Sequence, residues 1–305
     1  MTVSGGSGLN FKPLTPTFGA ECSGVDFSQP VPETTISTIR DAIAKCGVLV
    51  FRNTQLDDGR HVAFAAQFGE LDDVTPWLVP GQKYRLAPYT QLADVGNIEI
   101  DGHVVSEDDI RNHIYQGNCL FHVDSSFNPR RASFSILRAH QLPPRGTGGS
   151  TVFADTRAAY DDLDDETKER IKDLVLCHSL WHSRRLGAPD SELLKKINPE
   201  DHVMPRHKLV QLHEPSGRMN LYIAAHAHHI DGWTNEDSQP VIQELLRHAS
   251  QDKYTIQVNW ENNGDLIMWV SIDFSLHAKA VYARTDNLPP RIILAPCIRA
   301  FRARM

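Results

Sequence analysis

His122 and Asp124 stand two residues apart in an apolar stretch of the chain, Leu120 to Phe127. On an extended chain this spacing puts both side chains on one face, so an imidazole and a carboxylate can hold one metal ion. Two histidines and one carboxylate, with coordination positions left open, are the ligand set of non-haem Fe(II) oxygenases. The pair alone is a weak signal, because the chain has 15 histidines and repeats the pattern at His229 and Asp231.

Further motifs follow only the first of these two patterns. A Gly-Gly turn precedes Thr151, a strand-like segment runs from Asp265 to Trp269, and His277 and Arg291 come later. No comparable series of residues follows His229. The order of these motifs therefore favours His122 and Asp124 as the functional pair.

With these motifs the chain resembles the taurine dioxygenase/TfdA superfamily of Fe(II)- and 2-oxoglutarate-dependent dioxygenases. Its 2,4-dichlorophenoxyacetate dioxygenase branch is the most similar part. The resemblance runs over nearly the whole chain. The matching segments stand in the family's order and are Val48–Arg52, Phe64–Leu71, Leu92–Asn97, Asn118–Phe127, Gly148–Thr151, Gly217–Arg218, Leu221–Tyr222, Ala225–His229, Asp265–Trp269 and His277.

The resemblance implies three iron ligands and a binding site for the cosubstrate. His122, Asp124 and His277 would hold Fe(II). Thr151 and Arg291 would bind the distal carboxylate of 2-oxoglutarate, and Arg284 is the alternative partner because the spacing after His277 varies in the family. A planar guanidinium suits this task because it pairs with a carboxylate through two parallel hydrogen bonds.

The residues expected to contact the primary substrate are Asn118, His213 and His226. Many relatives carry a second arginine four residues after the cosubstrate arginine, where it helps to bind an anionic substrate, but this chain has Ala295 there. We therefore expect a small organic molecule with apolar bulk, such as a carboxylic acid or an amino-acid-derived metabolite, and little turnover of taurine. The apolar segment 76–80 would close over it.

The implied reaction consumes 2-oxoglutarate and O2, releases succinate and CO2, and oxidises a C–H bond of the substrate, with hydroxylation as the expected outcome. Desaturation, ring formation and oxidative cleavage stay open. Asp124 argues against a halogenase, which needs a small residue at that position. Two rival classes share the motif: a zinc-dependent hydrolase that activates water, and a non-catalytic jelly-roll binding protein.

Residue patterns and the resemblance agree on the fold class. The spacing of apolar residues predicts four helices and a strand-rich body with helical insertions, which is typical of a β-sandwich or jelly roll. The predicted helices are Pro32–Cys46, Asp58–Phe68, Thr156–Val175 and Gln239–Ala249, and the predicted strands include 48–51, 132–139, 151–153, 254–260, 265–270 and 291–295. We expect mixed α and β structure, a distorted double-stranded β-helix with flanking helices, in a single domain over residues 1–305 with residues 1–9 flexible.

The composition limits the partners of the protein. Of the 305 residues 41% are hydrophobic, and 31 Lys and Arg against 38 Asp and Glu give a net charge of −7, which disfavours nucleic-acid binding. No apolar run reaches the roughly 18 residues that a membrane span needs. Five scattered cysteines without a CxxC pair fit a reducing, cytoplasmic setting. We expect a small-molecule substrate and leave the assembly open, a homo-oligomer included.

Overall fold

The structure is a computed structural model that describes residues 8–75, 84–96, 98, 100–103, 105–106, 109–143, 148–271, 279–282 and 293–301. It has mixed α and β architecture. Its strands are β1 (Asn10–Pro13), β2 (Ala20–Ser23), β3 (Val48–Phe51), β4 (Glu70–Leu71), β5 (Ala93–Gly96), β6 (Ala132–Gln141), β7 (Gly148–Ala154), β8 (Val175–His178), β9 (Arg206–Lys208), β10 (Val210–His213), β11 (Arg218–Leu221), β12 (Ala227–Ile230), β13 (Thr255–Val258), β14 (Leu266–Val270), β15 (Lys279–Tyr282) and β16 (Ile293–Phe301). Its helices are α1 (Glu33–Cys46), α2 (Asp58–Ala66), α3 (Ile110–Gln116), α4 (Thr156–Asp161), α5 (Asp165–Ile171), α6 (Leu180–Gly187), α7 (Glu192–Lys195) and α8 (Asn235–Ala249), with short 3-10 turns at Gly117–Cys119, Pro199–Asp201 and Asp252–Tyr254.

The first helix shows how the apolar pattern produces the fold. Ile36, Ile39 and Ile43 recur at helical spacing and are fully buried against the core. The helix ends at Gly47, whose φ of 77° is readily adopted only by glycine, and whose N–H bonds to the carbonyl of Ile43. The predicted helix and the strand β3 after it are confirmed.

Two sheets enclose the larger hydrophobic core. The large sheet has the order β1-β2-β3-β14-β6-β16-β4, with β5 paired to β16, and the smaller one has the order β13-β7-β15. Side chains from both sheets belong to one buried cluster, and the rings of Phe153 in β7 and Trp269 in β14 lie 5.5 Å apart. Helices α1 and α2 bury their apolar faces in the same cluster. The predicted strands in β6, β7, β13 and β14 are confirmed with small shifts at their ends.

A second hydrophobic core is formed by residues of the chain segment between β7 and β13. It is formed by α4, α5 and α8 with the β12-β8-β9 sheet and the β10–β11 hairpin. The helices and the sheet each contribute almost fully buried side chains, such as Ile171, Leu176, Ile230 and Leu245. This layer supports the chain segments that reach the candidate site.

One predicted helix, Thr156–Val175, is wrong as a single element. The structure divides it into α4 and α5, followed directly by β8. The break comes at Asp164, whose carboxylate accepts a hydrogen bond from the backbone N–H of Thr167 at 2.7 Å and so caps a new helix. An aspartate preceding an acidic first turn stabilises a helix start, which competes with continuation of the earlier helix.

The longest helix in the described part of the chain is α8, with 15 residues. Among those residues no helix has the length and the apolar character that crossing a membrane requires. Helix α8 buries one face, including Ile242 and Leu245, and exposes the other, which is the amphipathic pattern of a helix on a protein surface.

Candidate active site

His122 and Asp124 approach each other closely enough to bind one metal ion. His122 Nδ1 lies 2.8 Å from the carbonyl oxygen of Leu120. Because a carbonyl oxygen only accepts hydrogen bonds, Nδ1 carries a proton, and the neutral form of the ring then has its lone pair on Nε2. His122 Nε2 lies 3.4 Å from Asp124 Oδ1, and the two side chains are 11% and 12% exposed.

This geometry suits an octahedral metal ion. Neighbouring ligands that each bind at about 2.1 Å lie roughly 3 Å from one another in that geometry. The 3.4 Å between His122 Nε2 and Asp124 Oδ1 is near this value, so small side-chain movements would bring both atoms onto one ion. A histidine that donates its other ring N–H to a backbone carbonyl is also the usual arrangement of a metal-ligating imidazole. His277, the third ligand that the resemblance implies, lies outside the described residues.

The segment that carries the pair turns sharply instead of continuing as a strand. Ser125, directly after Asp124, has a φ of 61° and is fully buried. Its carbonyl accepts the N–H of Asn128 at 2.8 Å, which closes the turn. Val123 points to the opposite side from the pair, into a buried cluster with Tyr222 and Ala224. The extended conformation therefore ends at the second ligand.

His226 is the predicted substrate residue that the fold brings to this pair. The N–H of Ala225 donates to the carbonyl of Phe121 at 2.9 Å and joins the two segments. The His226 ring stands edge-to-face with the His122 ring, with centroids 6.0 Å apart. His226 Nδ1 lies 3.1 Å from the hydroxyl oxygen of Ser126, and the whole side chain is buried.

His213 lies at the end of the β10–β11 hairpin. Its Nδ1 is 2.5 Å from the hydroxyl of Ser216. Burial, reinforced by the Arg157 guanidinium, lowers the pKa of His213 to about 4, so its ring is neutral at physiological pH. The hydrogen bond of His213 lies within this hairpin, while the His226 ring contacts the ring of His122, one of the two predicted ligands. A substrate role for His213 stays a prediction.

Asn118 is held by an arginine that sequence reasoning missed. Its side-chain oxygen accepts a hydrogen bond from Arg184 Nη1 in α6 at 2.9 Å. The close packing depends on two glycines, since a Cβ on Gly187 would lie 2.5 Å from the backbone nitrogen of Gly117. Helix α6 therefore supports the turn that precedes the metal segment. The predicted contact of Asn118 with substrate remains untested.

Thr151 lies in the middle of β7, where its backbone pairs with Val258 of β13 and Ala280 of β15. Its side chain is only 4% exposed. Strand β15 begins at Lys279, two residues after His277 in the sequence. The chain that leaves the predicted third ligand is thus paired with the strand that carries Thr151.

Arg291, its alternative Arg284 and the apolar segment 76–80 lie outside the described residues. Strand β16 contains Ala295 and begins at Ile293, two residues after Arg291. The roles of these residues remain as the sequence predicts them.

A group of buried histidines surrounds the back of the metal segment. His207 Nε2 donates to the carbonyl of Ser126 at 2.8 Å, and its ring packs on those of His178 and Tyr222. Burial, together with the Arg131 guanidinium, lowers the pKa of His207 to about 4, and burial also holds the pKa of His178 well below its ordinary value. Many of the chain's histidines are therefore neutral packing residues.

The second His-x-Asp pattern has a structural role. His229 Nδ1 lies 2.8 Å from His228 Nδ1, and Asp231 pairs with Arg206 at 3.3 Å. Within the part of the chain that the structure describes, no group of three or more His, Cys, Asp or Glu side chains is arranged to hold a metal ion. His277, the third ligand predicted for the first pattern, lies outside that part.

Comparison with known proteins gives one consistent result. The model of the taurine catabolism dioxygenase TauD, TfdA family matches residues 10–270. An α-ketoglutarate-dependent 2,4-dichlorophenoxyacetate dioxygenase of Burkholderia sp. (strain RASC) is 34% identical over 264 residues, 86% of each chain. An (S)-phenoxypropionate/α-ketoglutarate dioxygenase of Sphingobium herbicidovorans is 32% identical, again over 86% of each chain. The crystal structure of AAD-2 with Mn(II) and N-oxalylglycine superimposes with a TM-score of 0.82 at 32% identity, covering 96% of this chain and 98% of that one.

Proposed function

Because the chain belongs to the TauD/TfdA family of dioxygenases, we propose that His122 and Asp124 form the metal site of a single catalytic domain. The protein is an α-ketoglutarate-dependent dioxygenase that uses Fe(II), 2-oxoglutarate and O2. Neither the zinc hydrolase nor the non-catalytic binding protein is supported by these relatives. The packing of the large sheet against β13-β7-β15 around one core supports the jelly-roll interpretation of the fold.

The observation that carries the site assignment is the 3.4 Å between His122 Nε2 and Asp124 Oδ1. The backbone carbonyl of Leu120 holds the imidazole in the tautomer that can bind a metal. Fe(II), when bound with its cosubstrate and O2, supplies the oxidising power, and succinate and CO2 are released. The protein contributes the orientation of the two ligands, whose side chains are largely buried.

Thr151 and Arg291 bind the distal carboxylate of 2-oxoglutarate in this proposal. The Thr151 hydroxyl fits the task because it is buried and can donate a hydrogen bond, and β15 brings the chain after His277 alongside it. Arg291→Gln should weaken 2-oxoglutarate binding tenfold or more, since charge-assisted hydrogen bonds contribute about 1.5–3 kcal/mol. Arg284→Gln is the matched control, and a larger loss in that variant would transfer the role to Arg284.

The proposed substrate is a carboxylic acid with apolar bulk, oxidised at a C–H bond and most simply hydroxylated. The matched relatives are named for phenoxyacetate and phenoxypropionate compounds, which combine a carboxylate with an aromatic ring. Ala295 stands where many relatives have an anion-binding arginine, which argues against taurine. His226, next to the metal ligands, supplies a polar group for the substrate, and Asn118 and His213 are further proposed contacts.

We propose a cytoplasmic location for the protein, because its described cysteines are free thiols. Cys22, Cys46, Cys119 and Cys177 are free in the structure, and free thiols persist in reducing compartments such as the cytoplasm.

Succinate release tests the proposal directly. Aryloxyalkanoic acids, aliphatic carboxylic acids, amino acids and taurine are each supplied with Fe(II), 2-oxoglutarate and O2. We expect acid-stimulated release with an apolar acid and little with taurine. His122→Ala and Asp124→Ala should abolish it, while the control His229→Ala, from the second His-x-Asp pattern, should retain it. Unchanged activity in His122→Ala would refute the metal site.

A further inference from the structure

The indole of Trp260 makes a side-chain hydrogen bond to the proposed cosubstrate residue. Trp260 Nε1 lies 3.2 Å from Thr151 Oγ1. An indole N–H can only donate, so the threonine oxygen must accept this bond. One lone pair of the hydroxyl is therefore occupied, and its proton must point in another direction.

The strand register explains how the indole reaches the threonine. Val258 of β13 stands directly opposite Thr151 of β7, and Trp260 follows two residues later, just beyond the end of the strand. Diagonal neighbours at this separation are within reach of a large aromatic side chain. The rest of the Trp260 ring system packs against the main core, which limits its movement.

The turn that follows Trp260 is fixed as well. Asp265 is fully buried and accepts the backbone N–H groups of Glu261 and Asn262 at 2.9 and 3.2 Å. The indole is thus held on one side by the core and on the other by a closed turn.

The Thr151 hydroxyl is a buried donor that still needs an acceptor. Its side chain is 4% exposed, and no acceptor for its proton lies among the described residues. The backbone of Thr151 is paired on both sides, which fixes this buried stretch of strand within the sheet. Buried donors in proteins are nearly always satisfied, which points to a ligand atom as the acceptor.

We propose that Trp260 is a positioning residue for the cosubstrate: its N–H orients the Thr151 hydroxyl so that the proton points at the distal carboxylate of 2-oxoglutarate. The inference rests on the proposed cosubstrate role of Thr151. Trp260 itself does not contact the carboxylate. By orienting the Thr151 hydroxyl, Trp260 favours the binding of 2-oxo acids that have a distal carboxylate over those that lack one.

A binding cycle with Mn(II)-loaded protein tests the inference without turnover. Calorimetry measures the Kd of 2-oxoglutarate and of pyruvate, which has the same metal-chelating end and no distal carboxylate. The proteins are wild type, Trp260→Phe, Thr151→Val, the double variant, and Trp233→Phe as a control at an exposed tryptophan.

We expect Trp260→Phe to weaken 2-oxoglutarate about 3- to 10-fold, the range of one neutral hydrogen bond, and to leave pyruvate binding unchanged. In the Thr151→Val background the same substitution should have no further effect on 2-oxoglutarate. Trp233→Phe should resemble wild type for both acids. If Trp260→Phe does not fold, Trp260→Tyr also removes the indole N–H and enters the same cycle.

Equal weakening of both acids, or the same loss with and without the Thr151 hydroxyl, would show that Trp260 acts only through packing and would overturn the inference. Unchanged 2-oxoglutarate binding in Trp260→Phe would do the same. Failure of 2-oxoglutarate to bind the wild type would instead refute the proposed function from which the inference starts.

Discussion

His61 should make the stability of the protein fall in weak acid. It lies on the buried face of α2 with Phe64 and Ala65 and is fully inaccessible to solvent. Neither ring nitrogen has a hydrogen-bond partner among the described residues. Burial, with the Arg138 guanidinium acting in the same direction, lowers the pKa of His61 from 6.5 to about 3.

The sign follows from where the proton binds. Between pH 6.5 and 3 the unfolded chain takes up a proton at His61 and the folded protein does not, so acid favours unfolding. From pH 8 to pH 5.5 this linkage removes about 1.4 kcal/mol from the free energy of unfolding. The result hardly changes for any folded pKa below about 4.5, because the folded form is then neutral at pH 5.5.

Urea unfolding of metal-free protein at pH 8 and pH 5.5 measures the effect, with His61→Leu compared to wild type. The fall in unfolding free energy between the two pH values should be about 1.4 kcal/mol smaller in the variant. The other buried histidines contribute equally to both proteins and cancel. Phe64→Leu, a substitution without a titratable group on the same buried face of α2, should leave the wild-type difference unchanged.

An identical pH difference in wild type and His61→Leu would refute the reasoning. It would mean that His61 binds a proton equally well in the folded and unfolded chains, and hence that its surroundings in the fold are not those described. The comparison is independent of any change that leucine makes at pH 8, because only the difference between the two pH values enters.

Two further predictions concern the elements that support the site. Gly187→Ala should cost about 1–3 kcal/mol of stability and weaken Mn(II) binding, because the new Cβ must displace the backbone of Gly117; unchanged melting and metal affinity would contradict this packing. Asp265→Asn should lower the free energy of unfolding by about 1–3 kcal/mol, because it removes the charge of a fully buried carboxylate that pairs with Arg52 at 2.8 Å. In a denaturant titration, a loss under 1 kcal/mol would show that the pair is not needed.

The local parts of the structure were accessible from the sequence. The spacing of Ile36, Ile39 and Ile43 and the glycine after the helix predict α1, because periodicity and capping act within one element. The two-residue spacing of His122 and Asp124 likewise predicts that they share a face, and they do. The sharp turn at Ser125 was not predicted, because a serine with a positive φ gives no sequence signal comparable to that of a glycine.

Contacts across the chain could not be read from spacing. Trp260 reaches Thr151 only because β13 pairs with β7 in one register, and a shift by one residue would turn the indole to the other face. Arg184 meets Asn118 because α6 packs against a distant turn. His226 was anticipated through family resemblance, not through its own neighbours in the sequence. Tertiary packing determines all three contacts.

The ligand segment is fastened to the rest of the fold through its carbonyl oxygens. Those of Phe121 and Ser126 accept hydrogen bonds from the backbone N–H of Ala225 and from the His207 ring. Every amino acid offers the same carbonyl whatever its side chain, so these two attachments do not themselves require a particular side chain at positions 121 and 126. Sequence divergence can therefore change side chains around the proposed metal site while these backbone attachments are kept.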